Sequence, residues 1–239
     1  MIKKKKEILV ARDRLGVKPL YWTVNNEQFI FSSEIKGILA YGVKKKLCRK
    51  TLKDFLNNGL IDHSKNTLFE NIFQLEPGHY LRIKANGEIL KKKYWDLKDK
   101  VIENSENFKN KNKDFLLNKY QDLFNDSLKL EIRSDVEIGT ALSSGFDSSM
   151  LTYMIKKKIN DFKTFTYGFN TGEDETNYAR KLSKSLKLKN YSVKLKESEF
   201  ENYLSKVISS QEAPVTSIRV LAMHKMYETV RKKQIKVIL

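Results

Sequence analysis

The stretch Leu142-Ser143-Ser144-Gly145-Phe146-Asp147-Ser148-Ser149 gathers four hydroxyls, a glycine and a carboxylate into one short segment. Small residues let a phosphate approach the backbone closely, and serine hydroxyls add donors around it. Asp147 is the exception, because a carboxylate beside bound phosphates repels them unless a divalent cation lies between. That residue is therefore read as a Mg²⁺ ligand. Gly145 permits a tight backbone path. A serine-rich turn ahead of a helix also serves as a plain N-cap.

The elements around this stretch decide between the two readings. Val136 to Leu142 is an apolar strand with small residues, and Met150 to Lys158 has helical spacing. The end of a parallel strand that opens a helix is where α/β sheets bind ligands, since unpaired N–H groups and the positive end of the helix dipole converge there. Strand Thr164 to Phe169, helix Asn177 to Leu186, strand Tyr191 to Leu195, helices Phe200 to Ser209 and Val220 to Lys232, and strand Ile235 to Leu239 follow. Such alternation predicts a parallel sheet covered by helices on both faces.

Ahead of it lies a different texture. Ile8 to Ala11 is a short strand, Leu20 to Val24 and Phe29 to Ser32 form a hairpin around Asn25-Asn26, Glu34 to Tyr41 and Leu52 to Asn57 are short helices, and Glu76-Pro77-Gly78 turns into the strand His79 to Ile83. Residues 98–113 are polar, with few apolar anchors, and read as a linker between a β-rich unit (1–97) and the α/β unit (114–239).

Composition narrows the classes. The 239 residues, 40% hydrophobic, suffice for one or two globular domains. The net charge of +17 invites a nucleic-acid reading, but the lysines are scattered along the whole chain, and no specific nucleic-acid partner is expected. The single cysteine, Cys48, excludes an internal disulfide and a multi-cysteine zinc cluster and fits a reducing cytoplasm. His63, His79 and His224 lack metal-ligand spacing. The apolar run Ile8 to Ala11 after the N-terminal lysines is too short for a signal peptide or a membrane span, so no membrane association is expected.

Neither the G-x-x-x-x-G-K-[ST] nor the G-x-G-x-x-G pattern occurs. The Ser143 to Ser149 turn instead resembles the S-G-G-x-D-S pyrophosphate loop of N-type ATP pyrophosphatases. Its neighbours extend the likeness. Ala11-Arg12-Asp13-Arg14-Leu15-Gly16-Val17-Lys18-Pro19-Leu20-Tyr21, Phe31-Ser32-Ser33-Glu34-Ile35-Lys36, Leu75-Glu76-Pro77-Gly78-His79-Tyr80, Arg133-Ser134-Asp135-Val136, Thr164 to Phe169, and Asp174-Glu175 with Tyr178-Ala179 occur in the order found in glutamine-hydrolysing asparagine synthetases. The chain resembles that family along nearly its whole length.

The resemblance implies an α/β fold of the N-type ATP-pyrophosphatase (adenine nucleotide alpha hydrolase-like) kind, preceded by the C-terminal part of an N-terminal-nucleophile glutaminase sandwich. It implies that ATP adenylates the side-chain carboxylate of aspartate and that ammonia from glutamine displaces AMP. ATP, aspartate and glutamine are then the small-molecule partners, with Mg²⁺ as cofactor. By position, the Leu142 backbone with Ser143, Ser144, Gly145, Ser148 and Ser149 faces the phosphates, Asp147 meets Mg²⁺, and Tyr167 offers its backbone to the adenine.

The chain also departs from the pattern. Ser144 and Phe146 replace a glycine and a leucine, and a positive φ at residue 144 would cost serine roughly 1 to 2 kcal/mol. Ile2 stands where the family has its nucleophilic cysteine, and the S-G-E-G-A-D-E segment that follows the last strand in the family is absent. No catalytic residue is assigned for that reason. The expectation is a chain truncated at both ends and inactive by itself, whose apolar terminal strand seeks a partner, either a second copy or a chain completing the fold. Gln211-Glu212-Ala213-Pro214 matches either a pocket-shaping motif or a plain turn. Two other readings compete: a tRNA-modifying ATP pyrophosphatase, and an amidotransferase relative acting on a sugar acid of a polysaccharide.

Overall fold

The computed structural model describes residues 6–169 and 175–239, with only the backbone of Glu175. The chain divides into two compact units, Met1–Asn110 and Lys111–Leu239.

The first unit is built on two antiparallel sheets. Strands β1 (Ile8–Ala11), β5 (His79–Ile83) and β6 (Ile89–Lys93) form one in the order β1-β5-β6. Strands β2 (Tyr21–Asn25), β3 (Gln28–Ser32) and β4 (Phe73–Gln74) form the other in the order β3-β2-β4. Alternation along β2 and β3 decides the packing. Trp22 and Phe29 join Val10, Leu75, Leu81 and Ile83 in a core shared by the two sheets. Tyr21 and Ile30, on the opposite face, pack against Ile35 and Ile38 of helix α1 (Ile35–Ala40). Helix α2 (Arg49–Asn58) follows. The hairpin turn falls on Asn26 and Glu27, one position beyond the expected pair, with φ of 48° and 62°. Both values lie in the left-handed region that two-residue hairpin turns require.

The Ala-Arg-Asp motif has a structural explanation here. The Arg12 guanidinium donates to the carbonyls of Leu75 (2.6 Å), Gly16 (3.0 Å) and Lys18 (3.1 Å), lacing the loop after β1 to β4. The Asp13 carboxylate accepts from the N–H groups of Val17 and Lys18, both at 2.9 Å, which holds its pKa below the ordinary value. Gly16 has φ +69°, and a Cβ there would lie 2.7 Å from Pro77. Glycine is thus required on two counts.

Residues 98–108, read from sequence as the start of the 98–113 linker, lie in helix α3 (Leu97–Phe108), capped by Asp96, whose carboxylate accepts from Lys98 N–H at 2.8 Å. None of its side chains is buried.

In the second unit, α4 (Lys113–Glu131) leads to a four-stranded sheet. The chain runs β7 (Ile138–Ala141), α5 (Phe146–Lys156), β8 (Lys163–Phe169), α6 (Glu175–Ser185), β9 (Lys189–Leu195), α7 (Phe200–Gln211), α8 (Ile218–Lys232) and β10 (Val237–Ile238). Strand order is β10-β7-β8-β9, all parallel. Helices α4 and α5 bury Leu128 and Ile155 against Ile138 on one face. Helix α8 buries Met226 and Val230 against Phe165 on the other, and α7 adds Tyr203 and Val207 beside Leu195. The expected doubly covered parallel sheet is present. Successive strands progress from β7 to β9, and the chain then crosses back to place β10 on the far side of β7. The reversal of strand order lies between β10 and β7, and ligands of open α/β sheets bind at the carboxyl end of such a reversal.

Gly139 makes the centre of the sheet possible. A Cβ there would lie 2.9 Å from both Ile238 Cδ1 and Phe165 Cε2 and 3.0 Å from the carbonyl oxygen of Lys163.

Candidate nucleotide site

The Leu142 to Gly145 loop leaves the carboxyl end of β7 at this reversal, and α5 begins at Phe146, earlier than the expected Met150. Ser148, Ser149 and Asp147 therefore sit in the first helical turn rather than in a preceding loop. Gly145 is the N-cap and has no side chain to offer. The N–H groups of Phe146, Asp147 and Ser148 consequently take no partner among the described residues. They project with the positive end of the helix dipole, an arrangement suited to an anion.

The hydroxyls shape the loop from inside. Ser148 Oγ accepts from Ser143 N–H at 3.2 Å, lies 2.9 Å from Ser143 Oγ, and is 3.1 Å from the Gly145 carbonyl oxygen to which it donates. Ser143 Oγ in turn accepts from Gly145 N–H at 3.1 Å, and Ser149 Oγ donates to the Gly145 carbonyl at 2.8 Å. Below the loop, Thr140 Oγ1 and Thr152 Oγ1 meet at 3.3 Å with both residues buried, joining β7 to α5. Nothing in the linear pattern of either threonine signalled that contact.

Leu142 is buried, and its N–H donates to the Phe165 carbonyl at 2.8 Å, so that donor belongs to the sheet. Ser144 is exposed and is not among the residues with positive φ. Gly145 has φ −70°, a conformation open to any residue. The strain anticipated for serine at position 144 does not arise, and Gly145 takes no left-handed path.

Tyr167 lies near the carboxyl end of β8, opposite Val193 of β9. The Phe165 carbonyl points toward β7, where Leu142 takes it, and main-chain groups two residues apart in a strand point the same way. The N–H and carbonyl of Tyr167 thus face the space beyond the end of β7, whose register with β8 stops at Ala141 and Phe165. Its ring is half-buried and packs toward the α7 and α8 cores.

Asp147 is exposed in the first turn of α5. Among the described residues no group of three or more His, Cys, Asp or Glu could hold a metal ion. One exposed carboxylate beside open N–H donors fits Mg²⁺ held jointly by protein, phosphates and water, as that ion commonly is. Cys48 is the N-cap residue of α2, and its Sγ accepts from Thr51 Oγ1 at 3.4 Å, a structural setting. Asp174 lies outside the described residues, as does Ile2. No helix among the described residues is long and apolar enough to cross a membrane.

A parallel α/β unit with an anion-ready turn at its strand reversal follows, along the chain, a unit of two antiparallel sheets. Residues 119–239 match the family model described as asparagine synthase, and residues 2–95 match that of a glutamine amidotransferase domain. The chain belongs to the asparagine synthase family. It is 28% identical over 223 residues to glutamine-hydrolyzing asparagine synthetase 1 of Bacillus subtilis, covering 93% of this chain and 34% of that protein. It is 32% identical over 237 residues to putative glutamine-hydrolyzing asparagine synthetase 2 of Methanocaldococcus jannaschii, covering 96% and 44%. The chain thus spans less than half the length of these relatives. Among solved structures, NH3-dependent NAD synthetase from Campylobacter jejuni covers 50% of this chain and 54% of its own at TM-score 0.34 and 15% identity, too slight a likeness to carry an argument.

Proposed function

We propose that this chain supplies the ATP-binding portion of a glutamine-dependent asparagine synthetase. In the reaction, a side-chain carboxylate oxygen of aspartate attacks the α-phosphorus of ATP and pyrophosphate leaves. Ammonia from glutamine then attacks the acyl carbon, and AMP leaves with the electrons of the broken acyl–oxygen bond. A carboxylate is a poor acyl donor until AMP makes its oxygen a good leaving group, and the departing pyrophosphate needs donors fixed in advance.

The observation that carries this reading is the set of unpartnered N–H groups at Phe146, Asp147 and Ser148, opening at the strand reversal. In this reading they and Ser144 receive the β and γ phosphates. Ser143, Ser148 and Ser149 hold the loop in place, and the Tyr167 main chain meets the adenine edge. Asp147 would hold Mg²⁺, which would supply neutralisation of phosphate charge. Residues 1–97 are the closing part of the glutaminase sandwich, 98–113 connect, and 114–239 form the nucleotide unit. Glutamine hydrolysis is assigned to none of the described residues, Cys48 being a helix cap. The single thiol is consistent with a cytosolic setting.

Titration of the 239-residue chain with MgATP by calorimetry tests the reading. Saturable binding that weakens at least about tenfold for AMP and for Asp147→Asn is expected, since removing charge-assisted contacts costs about 1.5 to 3 kcal/mol. Equal affinity for AMP and ATP, or no binding, would overturn it.

A further inference from the structure

The lysine excess looks scattered along the sequence, but the fold gathers it. In a unit of parallel strands joined by helices, the end of each helix and the start of the next strand share one edge of the sheet, opposite the ligand-binding edge. Here the α5–β8 connection reads KKKINDFK from Lys156 to Lys163, with a single carboxylate, Asp161. The α6–β9 connection reads KSLKLK from Lys184 to Lys189, and the α8–β10 connection RKKQIK from Arg231 to Lys236, neither with any carboxylate. Lys163 and Lys189 are register partners at the starts of adjacent strands.

The opposite edge has the reverse balance. The turn from Leu142 to Ser149 carries Asp147 and no cation, and the connection from β9 into α7 reads KESEFE from Lys196 to Glu201. The fourth connection at the amino edge, α4–β7, reads EIRSDVE from Glu131 to Glu137 and is acidic, so the excess of cations belongs to the α5–β8, α6–β9 and α8–β10 connections.

Complementing helix dipoles accounts for only part of the basic edge. Lys156, Lys184, Arg231 and Lys232 lie in last helical turns, where cations are favoured. Lys158, Lys187, Lys189 and Lys236 lie beyond those turns, are exposed, and form no ion pair among the described residues. Among the described residues only Lys163 is neutralised there, by Glu137 at the end of the loop into β7. Two further features mark the edge as a surface. A cleft of about 610 Å³ is lined by Arg231, Gln234, Ile235 and Lys236. Beside it the Lys233 ammonium sits 4.7 Å from the Tyr191 ring centroid.

We propose that this amino edge of the second unit binds the phosphodiester backbone of a nucleic acid, without reading its sequence. Lysines are compact point charges suited to phosphate oxygens, and arrayed cations with few carboxylates among them supply sequence-independent affinity. Among the described residues, none of the three basic connections exposes a large apolar side chain that could enter a lipid surface, so a nucleic acid fits better than a membrane. The surface lies on the edge opposite the nucleotide loop and does not depend on ATP binding.

The test is fluorescence anisotropy of the full chain with a labelled single-stranded RNA of about 20 nucleotides, from about 50 to 200 mM salt. The Lys158→Gln, Lys187→Gln, Lys189→Gln, Lys236→Gln variant is compared with a control carrying Lys44→Gln, Lys45→Gln, Lys50→Gln and Lys53→Gln, exposed lysines of the first unit. We expect the edge variant to bind at least about tenfold more weakly, with its log–log salt slope lowered by about 2 to 3, and the control to match the native chain within about twofold. Circular dichroism of each variant confirms that the fold is retained. No binding by the native chain at about 150 mM salt, or equal losses in both variants, would overturn the proposal. So would flotation with phosphatidylserine vesicles in the absence of RNA binding.

Discussion

Ser148 Oγ, in the first turn of α5, lies 2.9 Å from Ser143 Oγ, just beyond the end of β7, and also receives the Ser143 N–H. The loop is thus closed on itself before any ligand arrives. Ser148→Ala removes the acceptor for both Ser143 groups and should lower stability by about 1 kcal/mol, read as a shift in urea midpoint. MgATP affinity should fall by about fivefold or more as the turn loosens, roughly 1 kcal/mol. Unchanged affinity with lowered stability would confine the hydroxyl pair to a folding role.

Ser144→Gly restores the residue expected from the pyrophosphate loops this turn resembles. Because Ser144 is not in a left-handed conformation, glycine relieves no strain and only enlarges the freedom of the unfolded chain. The variant should be less stable by about 0.4 to 1 kcal/mol. A rise in thermal midpoint would show that serine is strained there.

Gly139→Ala places a methyl group within 3.0 Å of Phe165, Ile238 and the Lys163 carbonyl. One of those atoms is backbone, so adjustment is costly, and destabilisation of about 1 to 3 kcal/mol is expected by thermal or denaturant unfolding. Gly139→Ala combined with Phe165→Leu should recover part of the loss, since the ring edge then withdraws.

Lys225 joins three elements: its ammonium donates to both Glu199 oxygens, at 2.7 and 2.6 Å, and to the Lys194 carbonyl at 2.8 Å. The hydrogen bond from Lys225, then the Lys196 N–H, hold the Glu199 carboxyl below its ordinary value of 4.5. A depressed folded-state pKa gives stability that is present above the ordinary value and lost as pH falls through the depressed one. Lys225→Met should therefore differ most from the native chain near neutral pH. The difference should narrow as pH drops below 4.5. Stability curves from pH 3 to 7 that stay parallel would assign the lysine a packing role alone.

Much of the second unit was legible because its strands and helices switch period between two and 3.6 residues. Strands β8 and β9 and helices α6 to α8 fall within a few residues of expectation. The start of α5 was not, because Gly145, Asp147 and the serines are turn formers by type yet equally good first-turn residues. Helix α3 was hidden by polarity: the residues after Asp96 bury nothing, so no apolar stripe announces them. Residues 142–149, singled out as a candidate site, span the turn after β7 and the first turn of α5. Which of them face a ligand and which tie the loop together depends on hydroxyl directions that no spacing encodes. The basic edge was invisible for a different reason, since it exists only once parallel strands bring separate connections side by side.

The two faces of the sheet differ in chemistry as well as in partners. On the α6 side, Asn190 Nδ2 donates to Thr164 Oγ1 at 2.9 Å and to Thr166 Oγ1 at 3.0 Å, and Ser183 meets Thr164 at 2.9 Å. On the α8 side, Phe165 stacks on Tyr191 with ring centroids 5.5 Å apart. A slip of β8 by one residue would drive Phe165 among hydroxyls and strand Thr164 and Thr166 against Met226 and Val230. Parallel sheets that are greasy on both sides lack this safeguard. Mispairing during folding is penalised along β8, so this central strand can settle in one alignment only.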